Sequence, residues 1–180
     1  MPDAESAVDL TPLVERIAAS GQPPVVLLDG GSGSGKSTLA AALAGLLSAQ
    51  LVHLDDIYPG WDGLEEASRA VVDDVLGAGR WRRWDWAAAA PAEVHSLDRD
   101  RPLIVEGSGA LSRRSRDRAT FGIWVELAEA ERKRRALARD GATYAPHWDR
   151  WAAQERAFRR RERPDLLADV VLDGRATTFR

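Results

Sequence analysis

Residues 30–38 read Gly-Gly-Ser-Gly-Ser-Gly-Lys-Ser-Thr, which matches the phosphate-binding loop pattern G-x-x-x-x-G-K-[ST]. A loop of this kind turns successive backbone N–H groups towards an anion, and glycine adopts the necessary backbone angles without steric cost. The apolar run at 25–28 is typical of a buried parallel strand, and the alanine- and leucine-rich residues 39–47 favour a helix. A flexible glycine-serine linker would not require this strand–loop–helix order, so we predict a loop that binds a nucleoside triphosphate.

The residue types within the loop predict separate contacts. The loop N–H groups and the positive end of the following helix would hold the phosphates. Lys36 would reach the β- and γ-phosphates, and the Ser37 hydroxyl would bind Mg²⁺. We therefore expect nucleotide contacts throughout the loop, from Gly30, Gly31, Ser32, Gly33, Ser34, Gly35, Lys36, Ser37 and Thr38.

The composition limits the class of protein. A length of 180 residues predicts one domain spanning 1–180. The chain has no cysteine and three histidines, which argues against structural zinc, and its net charge of −3 argues against a general nucleic-acid partner. No apolar run approaches the roughly 20 residues of a membrane span, and the acidic N-terminus lacks the pattern of a signal peptide. We expect a cytoplasmic protein without a membrane partner, and the oligomeric state stays open.

Hydrophobic patterning alternates strands with helices along the chain. Strands are predicted at 24–29, 51–54, 102–107, 121–127 and 170–172, and helices at 8–19, 36–49, 64–77, 129–140 and 146–162. Residues 80–91 form a tryptophan- and arginine-rich segment without an assignment. Such alternation predicts a three-layer α/β/α fold with a parallel central sheet. Within it we expect an N-terminal helical region (1–22), an acceptor-binding cap (about 55–95) and a lid (about 130–163).

Acidic residues follow two of the predicted strands. Asp55 and Asp56 come directly after 51–54, and Glu106 ends the strand at 102–107. Ligands of an open parallel sheet gather beyond the carboxyl ends of its strands, so these carboxylates should meet the phosphate loop. We predict that Asp55 acts as a base towards an acceptor hydroxyl and that Asp56 caps the turn. A charge at the end of an apolar strand is costly without a partner, so Glu106 should hold Mg²⁺ together with Ser37.

Three arginines share one face of the predicted lid helix. Arg132, Arg135 and Arg139 are spaced at i, i+3 and i+7. Guanidinium groups suit phosphoryl oxygens, so we expect Arg132 to contact the nucleotide, and Arg135 and Arg139 to close over the triphosphate as catalytic groups. The alternative is an ordinary solvated helix, for which the neighbouring Glu129 and Glu131 would supply the ion pairs.

Several of these segments resemble, in the same order, the uridine kinase/phosphoribulokinase-like family, which includes nicotinamide riboside kinases. Residues 55–58 resemble that family's Asp-Asp/Ser-Phe-Tyr/Phe segment, and residues 104–107 are similar to its Val-Glu-Gly strand end. Residues 132–140 resemble its lid helix, and residues 168–171 match the start of its last strand. The resemblance covers most of 24–174. It implies a P-loop kinase that uses ATP and Mg²⁺, with Asp55 as the acid/base and Glu106 near the metal.

The resemblance also implies an acceptor site. Trp84 and Asp85 resemble the position where nicotinamide riboside kinases carry an aspartate that binds ribose hydroxyls. We therefore expect Asp85, Trp84 and Tyr58 to contact the acceptor, with Trp61 as a second wall, although the tryptophans would equally suit the packing of a cap. The Phe-Asp-His-Pro run of uridine kinases is absent, which weighs against a pyrimidine nucleoside.

These observations predict an ATP-dependent phosphotransferase that acts on a hydroxyl of a small metabolite, with a nucleoside or another ribosyl-like compound favoured. Three alternatives stay open: a shikimate- or gluconate-type kinase, a nucleoside monophosphate kinase, and a nucleotide-dependent switch ATPase. A monophosphate acceptor would need cations near Trp84, and Arg80, Arg82 and Arg83 are candidates. The guanine-specific Asn/Thr-Lys-x-Asp motif is absent, which disfavours a GTPase.

Overall fold

The structure, a computed structural model, describes residues 8–175. Its strands are β1 (Val25–Gly30), β2 (Gln50–His53), β3 (Arg80–Asp85), β4 (Ala90–Ser96), β5 (Leu103–Glu106), β6 (Phe121–Glu126) and β7 (Val170–Asp173). Its helices are α1 (Thr11–Ser20), α2 (Lys36–Leu47), α3 (Leu64–Ala70), α4 (Arg113–Arg116), α5 (Glu129–Tyr144), α6 (Trp148–Glu162) and α7 (Pro164–Leu167). A π-helical segment (Val71–Ala78) continues α3, and short 3-10 turns occupy Leu54–Asp56 and Ala145–His147.

Five parallel strands form the central sheet in the order β2-β5-β1-β6-β7. Leu27 lies opposite Val105 in this register and shares a core with residues of α3 and α6. Val26 and Leu28 point to the other face, where they pack in a second core with residues of α1 and α2. Because successive side chains of a strand alternate between faces, both faces of the sheet need helical cover. The predicted three-layer α/β/α fold is confirmed.

The N-terminal helix begins later than the sequence pattern predicted. It starts at Thr11 rather than at residue 8, and Val8 is exposed. Asp9 accepts a hydrogen bond from the Thr11 N–H, and Pro12 lies in the first turn, where a missing N–H costs nothing. Leu13 and Ile17 bury the inner face of α1. Residues 1–7 of the predicted N-terminal region (1–22) lie outside the described residues.

The tryptophan- and arginine-rich segment folds into an antiparallel hairpin of β3 and β4, which the sequence analysis left unassigned. Arg80 pairs with Ser96 and Asp85 with Ala90, with an irregular register between Arg82 and Trp84. The tryptophans fall at positions 81, 84 and 86, so the alternation typical of a half-buried strand is interrupted at Arg82 and Arg83, where the register is irregular. The hairpin stands outside the central sheet and carries its turn towards the carboxyl ends of the parallel strands, where Trp86 contacts Asp55.

The predicted lid helices correspond to α5 and α6. The helix predicted to end at residue 140 continues to Tyr144, but its path breaks at Gly141, whose φ of 53° and ψ of −132° are not helical. Glycine accommodates a positive φ without the strain that a side chain would bring. Across residues 8–175, no helix combines the length and the apolar composition needed to cross a bilayer.

Candidate active site

The phosphate loop connects β1 to α2. Gly33 and Gly35 have φ values of 82° and 95°, and Lys36 opens α2. A Cβ atom at Gly33 would overlap the Arg132 carbonyl, and one at Gly31 would overlap the Arg132 guanidinium. The glycines are thus required by the close approach of α5 behind the loop as well as by the loop's own backbone angles.

Other side chains of the loop differ in their surroundings. Ser32 and Ser37 line a cavity in front of the loop, whereas the Ser34 hydroxyl is buried without a hydrogen-bond partner. Thr38 is exposed on the first turn of α2. Asp29, which the sequence analysis did not select, is fully buried just before the loop.

Asp29 anchors the start of the loop. Its carboxylate accepts hydrogen bonds from the N–H groups of Gly30 (2.7 Å), Gly109 (3.1 Å) and Leu111 (2.9 Å). Burial raises the pKa of Asp29 to about 7, although these backbone hydrogen bonds oppose the shift. The carboxylate therefore ties the phosphate loop to the segment that follows β5.

A cavity of about 500 Å³ lies in front of the loop. Its walls come from the loop, the turn after β2, the hairpin turn, α5 and α6. The lining residues are Ser32, Lys36, Ser37, Asp55, Tyr58, Trp61, Trp86, Ser108, Arg139, Asp140, Thr143, Tyr144 and Trp151. Residues that are distant in sequence thus meet at the carboxyl edge of the sheet, as the position of the loop predicts.

Asp55 faces this cavity from the 3-10 turn that follows β2. Its backbone carbonyl accepts a hydrogen bond of 2.8 Å from the Trp86 indole N–H, which fixes the turn against the hairpin. Surrounding protein raises the pKa of the Asp55 carboxyl, and the nearby Glu106 adds to the rise, while Lys36 and Arg139 oppose it. The carboxyl is open to the cavity, so a ligand there would reach it directly.

Glu106 is buried at the end of β5. The Nδ1 atom of His53, on the neighbouring strand β2, lies 2.6 Å from the Oε1 atom of Glu106. Burial by itself would raise the pKa of Glu106, but the hydrogen bond from His53 and the charge of Lys36 outweigh it, so that this pKa is lowered. The carboxyl is held ionised as a result. The His53 partner was not recognised from the sequence, where it is an isolated histidine in a short strand.

The residues around Glu106 fit a magnesium ion. The Oε2 atom of Glu106 is buried without a hydrogen-bond partner, and Ser37 is among the groups that lower the Glu106 pKa, which places the two side by side. Carboxylate and hydroxyl oxygens are ligands that Mg²⁺ accepts. Residues 8–175 contain no cluster of three or more histidine, cysteine, aspartate or glutamate side chains suited to a metal.

The three lid arginines have different environments. Arg139 lines the cavity and pairs with Asp140 at 2.6 Å. Arg135 lies outside it, because its guanidinium bonds to Glu131 (2.9 Å) and to the Gly174 carbonyl (2.6 Å). The structure brings only Arg139 of the two predicted catalytic arginines to the cavity.

Arg132 was predicted to contact the nucleotide, and the structure places it behind the phosphate loop instead. Its guanidinium is buried and donates to the carbonyls of Ser32 (3.1 Å) and Leu127 (3.2 Å) and to Glu155 (2.9 Å). Arg132 lies in the first turn of α5, about ten ångströms along the axis from Arg139 at 1.5 Å per residue. A shared helix face therefore does not bring both side chains to the same ligand.

Aromatic side chains form one wall of the cavity, which we call the aromatic wall. Trp61 stacks on His147 with centroids 4.2 Å apart and on Tyr144 at 5.4 Å, and its ring lies 5.0 Å from that of Trp86. Trp151 meets Tyr58 edge-on at 4.6 Å. Tyr58 and Trp61 were predicted to lie at an acceptor site, whereas Trp86, Tyr144 and Trp151 were not. The high number of tryptophans was a signal for such a wall, but it did not say which of them take part.

Trp84 and Asp85 do not reach the cavity. The Asp85 carboxylate accepts hydrogen bonds from the N–H groups of Ala87 and Ala88, both at 2.9 Å, so it closes the hairpin turn. Its pKa is lowered, first by the hydrogen bond from Ala88. Trp84 lines a separate shallow pocket beside Ile57. Aspartate commonly binds the backbone of its own turn, and this local role replaces the predicted contact with an acceptor.

Comparison with known proteins bears on the fold. No protein-family model matches the chain, and no curated protein does. Similar solved structures include a possible uridine kinase from Bacillus stearothermophilus (TM-score 0.57, 18% identity, covering 91% of this chain and 100% of that one). A provisionally named fructose transport system kinase from Silicibacter sp. TM1040 gives a TM-score of 0.62 at 22% identity, covering 92% and 99%. Shikimate kinase from Acinetobacter baumannii, in complex with shikimate, gives 0.52 at 16%, covering 86% and 85%.

The chain shares the three-layer α/β/α fold of these structures. At these identities the likeness concerns the fold alone. Within that fold the cavity is lined by the loop after β1, the turn after β2, the hairpin turn, α5 and α6.

Proposed function

We propose that this protein is an ATP-dependent kinase that transfers the γ-phosphoryl group to a hydroxyl of a small metabolite. The observation that carries the proposal is the shared cavity, in which the Asp55 carboxyl faces Lys36 and Ser37 of the phosphate loop. A phosphate cradle with a carboxylate opposite it is the arrangement that phosphoryl transfer to a hydroxyl needs.

Each residue has a role in the proposed reaction. Lys36 and the loop N–H groups hold the β- and γ-phosphates, while Ser37 and Glu106 would hold Mg²⁺. When bound, the ion neutralises charge on the phosphates. Asp55 takes the proton of the acceptor hydroxyl, whose oxygen forms the new bond to the γ-phosphorus as the bond to the leaving ADP oxygen breaks. Arg139 offsets the charge that spreads over the transferred group.

The environment of Asp55 suits a base. Its raised pKa makes the carboxylate a better proton acceptor than a fully solvated aspartate, because a base is most effective when its pKa approaches the working pH. Lys36 and Arg139 oppose this rise in the pKa of Asp55.

The aromatic wall supports an acceptor that carries a flat ring, such as a nucleoside. Trp86 donates its indole N–H to the Asp55 carbonyl, Trp151 donates to Glu155, and the Tyr58 hydroxyl donates to the Ser108 carbonyl. With these polar atoms occupied, the wall offers ring surfaces to a ligand. Stacking on such surfaces recognises a planar group.

The geometry supports the three alternative functions, which are a shikimate- or gluconate-type kinase, a nucleoside monophosphate kinase and a switch ATPase, less well. A sugar acid would need a cation for its carboxylate, and Arg139, the one arginine within residues 8–175 that lines the cavity, is assigned here to the transferred phosphoryl group. The arginines considered for a monophosphate acceptor lie on the hairpin: Arg83 bonds to Glu93 at 2.6 Å, and Arg82 donates to the Ala92 carbonyl. The switch ATPase has no observation in its favour beyond the phosphate loop itself.

The proposal is tested by measuring ATP consumption with and without a panel of nucleosides, sugars, sugar acids and nucleoside monophosphates. We expect consumption that depends on an acceptor with a ring and a free hydroxyl, and a phosphorylated product detected by mass spectrometry. Hydrolysis that no acceptor accelerates would favour the switch ATPase and would overturn the kinase. Stimulation by shikimate or gluconate alone would reject the ring-bearing acceptor while keeping the kinase.

A further inference from the structure

A buried carboxylate on α6 reaches the back of the phosphate loop. Glu155 is 8% exposed, and its Oε1 atom accepts hydrogen bonds from the Ser32 N–H (2.6 Å), the Ser108 hydroxyl (2.9 Å) and the Trp151 indole N–H (3.0 Å). One oxygen atom thus joins the loop, the segment after β5 and the aromatic wall of the cavity.

The other carboxylate oxygen of Glu155 binds Arg132, and Arg132 binds the loop. The Arg132 Nη1 atom lies 2.9 Å from Glu155 Oε2 and 3.1 Å from the Ser32 carbonyl. The N–H and the C=O of Ser32 are therefore held by the two members of one ion pair. We call this arrangement the Ser32 clamp, consisting of Glu155, Arg132 and the Ser32 backbone.

Stability alone does not explain the clamp. Removing two charges from water costs several kcal/mol per ion, and apolar replacements of buried ion pairs are often neutral or stabilising. A loop rich in glycine, in contrast, pays a large entropy cost to hold one backbone conformation. Hydrogen bonds to both backbone polar groups of Ser32 reduce the conformations that the empty loop samples, and so leave less ordering for a ligand to impose.

We propose that Glu155 is a positioning residue, which through the Ser32 clamp holds the phosphate loop in its nucleotide-binding conformation. The inference rests on the proposed binding of ATP by this loop. Glu155 does not line the cavity, so it acts through Ser32 and Arg132 rather than by touching a ligand. Because Glu155 also accepts a hydrogen bond from the Trp151 indole N–H, the same carboxylate holds part of the aromatic wall in place.

The test compares Glu155→Gln with the unchanged protein in calorimetric titrations with ATP and Mg²⁺. Glutamine keeps the size of the side chain but presents an amide NH₂ either to the Arg132 guanidinium or to the three donors at Oε1, so one side of the clamp must open. We expect ATP binding to weaken by about 10- to 100-fold, the loss that follows removal of a hydrogen bond to a charged group. The matched control is Glu162→Gln on the same helix, whose carboxylate bonds to Arg161 and the Arg113 N–H, away from the loop.

Two further readouts separate positioning from a general structural role. In a ¹⁵N–¹H spectrum the Ser32 amide proton should move upfield in Glu155→Gln and stay in place in Glu162→Gln, since a short bond to a carboxylate shifts a proton downfield. In kinetics with the best acceptor of the panel, the KM for ATP should rise more than kcat falls. A lower melting temperature with unchanged ATP affinity and an unchanged Ser32 signal would overturn the inference.

A second variant covers the case in which Glu155→Gln folds poorly because Arg132 is left as an unpaired buried charge. The double variant Glu155→Gln with Arg132→Met removes that charge, and it should fold yet still bind ATP weakly. Affinity equal to that of the unchanged protein would overturn the clamp. If the unchanged protein itself binds no ATP, the proposed function fails and this inference with it; loss only in the variants leaves both standing.

Discussion

Replacing Asp55 by asparagine tests the proposed base directly. The two side chains have nearly the same shape, and the backbone at this position is fixed by the Trp86 indole N–H, so the amide should occupy the place of the carboxylate. An amide does not take a proton from an acceptor hydroxyl. We expect kcat to fall by about 100- to 10,000-fold, the usual contribution of a positioned base, which corresponds to about 3–5 kcal/mol of barrier.

Nucleotide binding should not suffer from this change. The Asp55 carboxylate lies near Lys36 and Arg139, and removing a negative charge from beside the phosphate site leaves these cations free to attract a triphosphate. The affinity for ATP with Mg²⁺ should therefore be unchanged or slightly increased. Steady-state kinetics with the best acceptor of the panel and calorimetry with ATP measure the two effects separately.

The pH profile gives an independent check. Because the surrounding protein raises the pKa of Asp55, the base is protonated and inactive below that pKa, so kcat should fall as the pH drops through it. The low-pH limb should lie above the range of an ordinary aspartate, and Asp55→Asn should lose it. Asp56→Asn is the matched control, since Asp56 does not line the cavity. Turnover by Asp55→Asn within twofold of the Asp56→Asn control would refute the role of Asp55.

Two predictions concern the surrounding walls. Arg139→Met should lower kcat by about tenfold or more, because the variant loses a charge-assisted contact to the transferred group. Arg135→Met should change kcat little, because Arg135 is bound to the Gly174 carbonyl outside the cavity. Equal losses of kcat in initial-rate assays of the two variants would contradict this assignment. Trp86→Ala should raise the KM for a ring-bearing acceptor by about tenfold, the cost of one lost stacking partner, with the KM for ATP unchanged. Trp86→Phe keeps a ring and should lose less, and an unchanged KM in both variants would remove Trp86 from the acceptor site.

Sequence reasoning predicted the fold well because its signals are local and periodic. The glycine loop, the apolar strand before it and the alternating elements each depend on neighbours in sequence, and together they predict a sheet covered on both faces. The start of α1 and the hairpin were missed for local reasons as well. Pro12 and Asp9 place the helix start at Thr11, and the alternation typical of a strand is interrupted at Arg82 and Arg83 within residues 80–85.

The candidate site was predictable only where topology alone places a residue. Asp55 and Glu106 follow strands that end beside the phosphate loop, and both lie there. Arg132 and Asp85 depended on which neighbour their side chains would bind. Arg132 is captured by Glu155, which is 23 residues away, and Asp85 by the N–H groups of its own turn. The type and spacing of a residue do not reveal which of several possible partners its side chain will bind. The aromatic wall was not predictable either, because its residues come from segments that are distant in sequence.

Whether the glycine loop receives a triphosphate is decided most directly by titrating the whole chain with ATP in a calorimeter in the presence of Mg²⁺. We expect one binding event per chain, and its loss or severe weakening in Lys36→Ala, because Lys36 lines the cavity at the loop. Thermal unfolding of both proteins is the control that checks whether the variant is folded. The absence of binding heat in the unchanged protein across several temperatures, or an equal affinity for ATP in Lys36→Ala, would contradict the binding of a triphosphate by this loop.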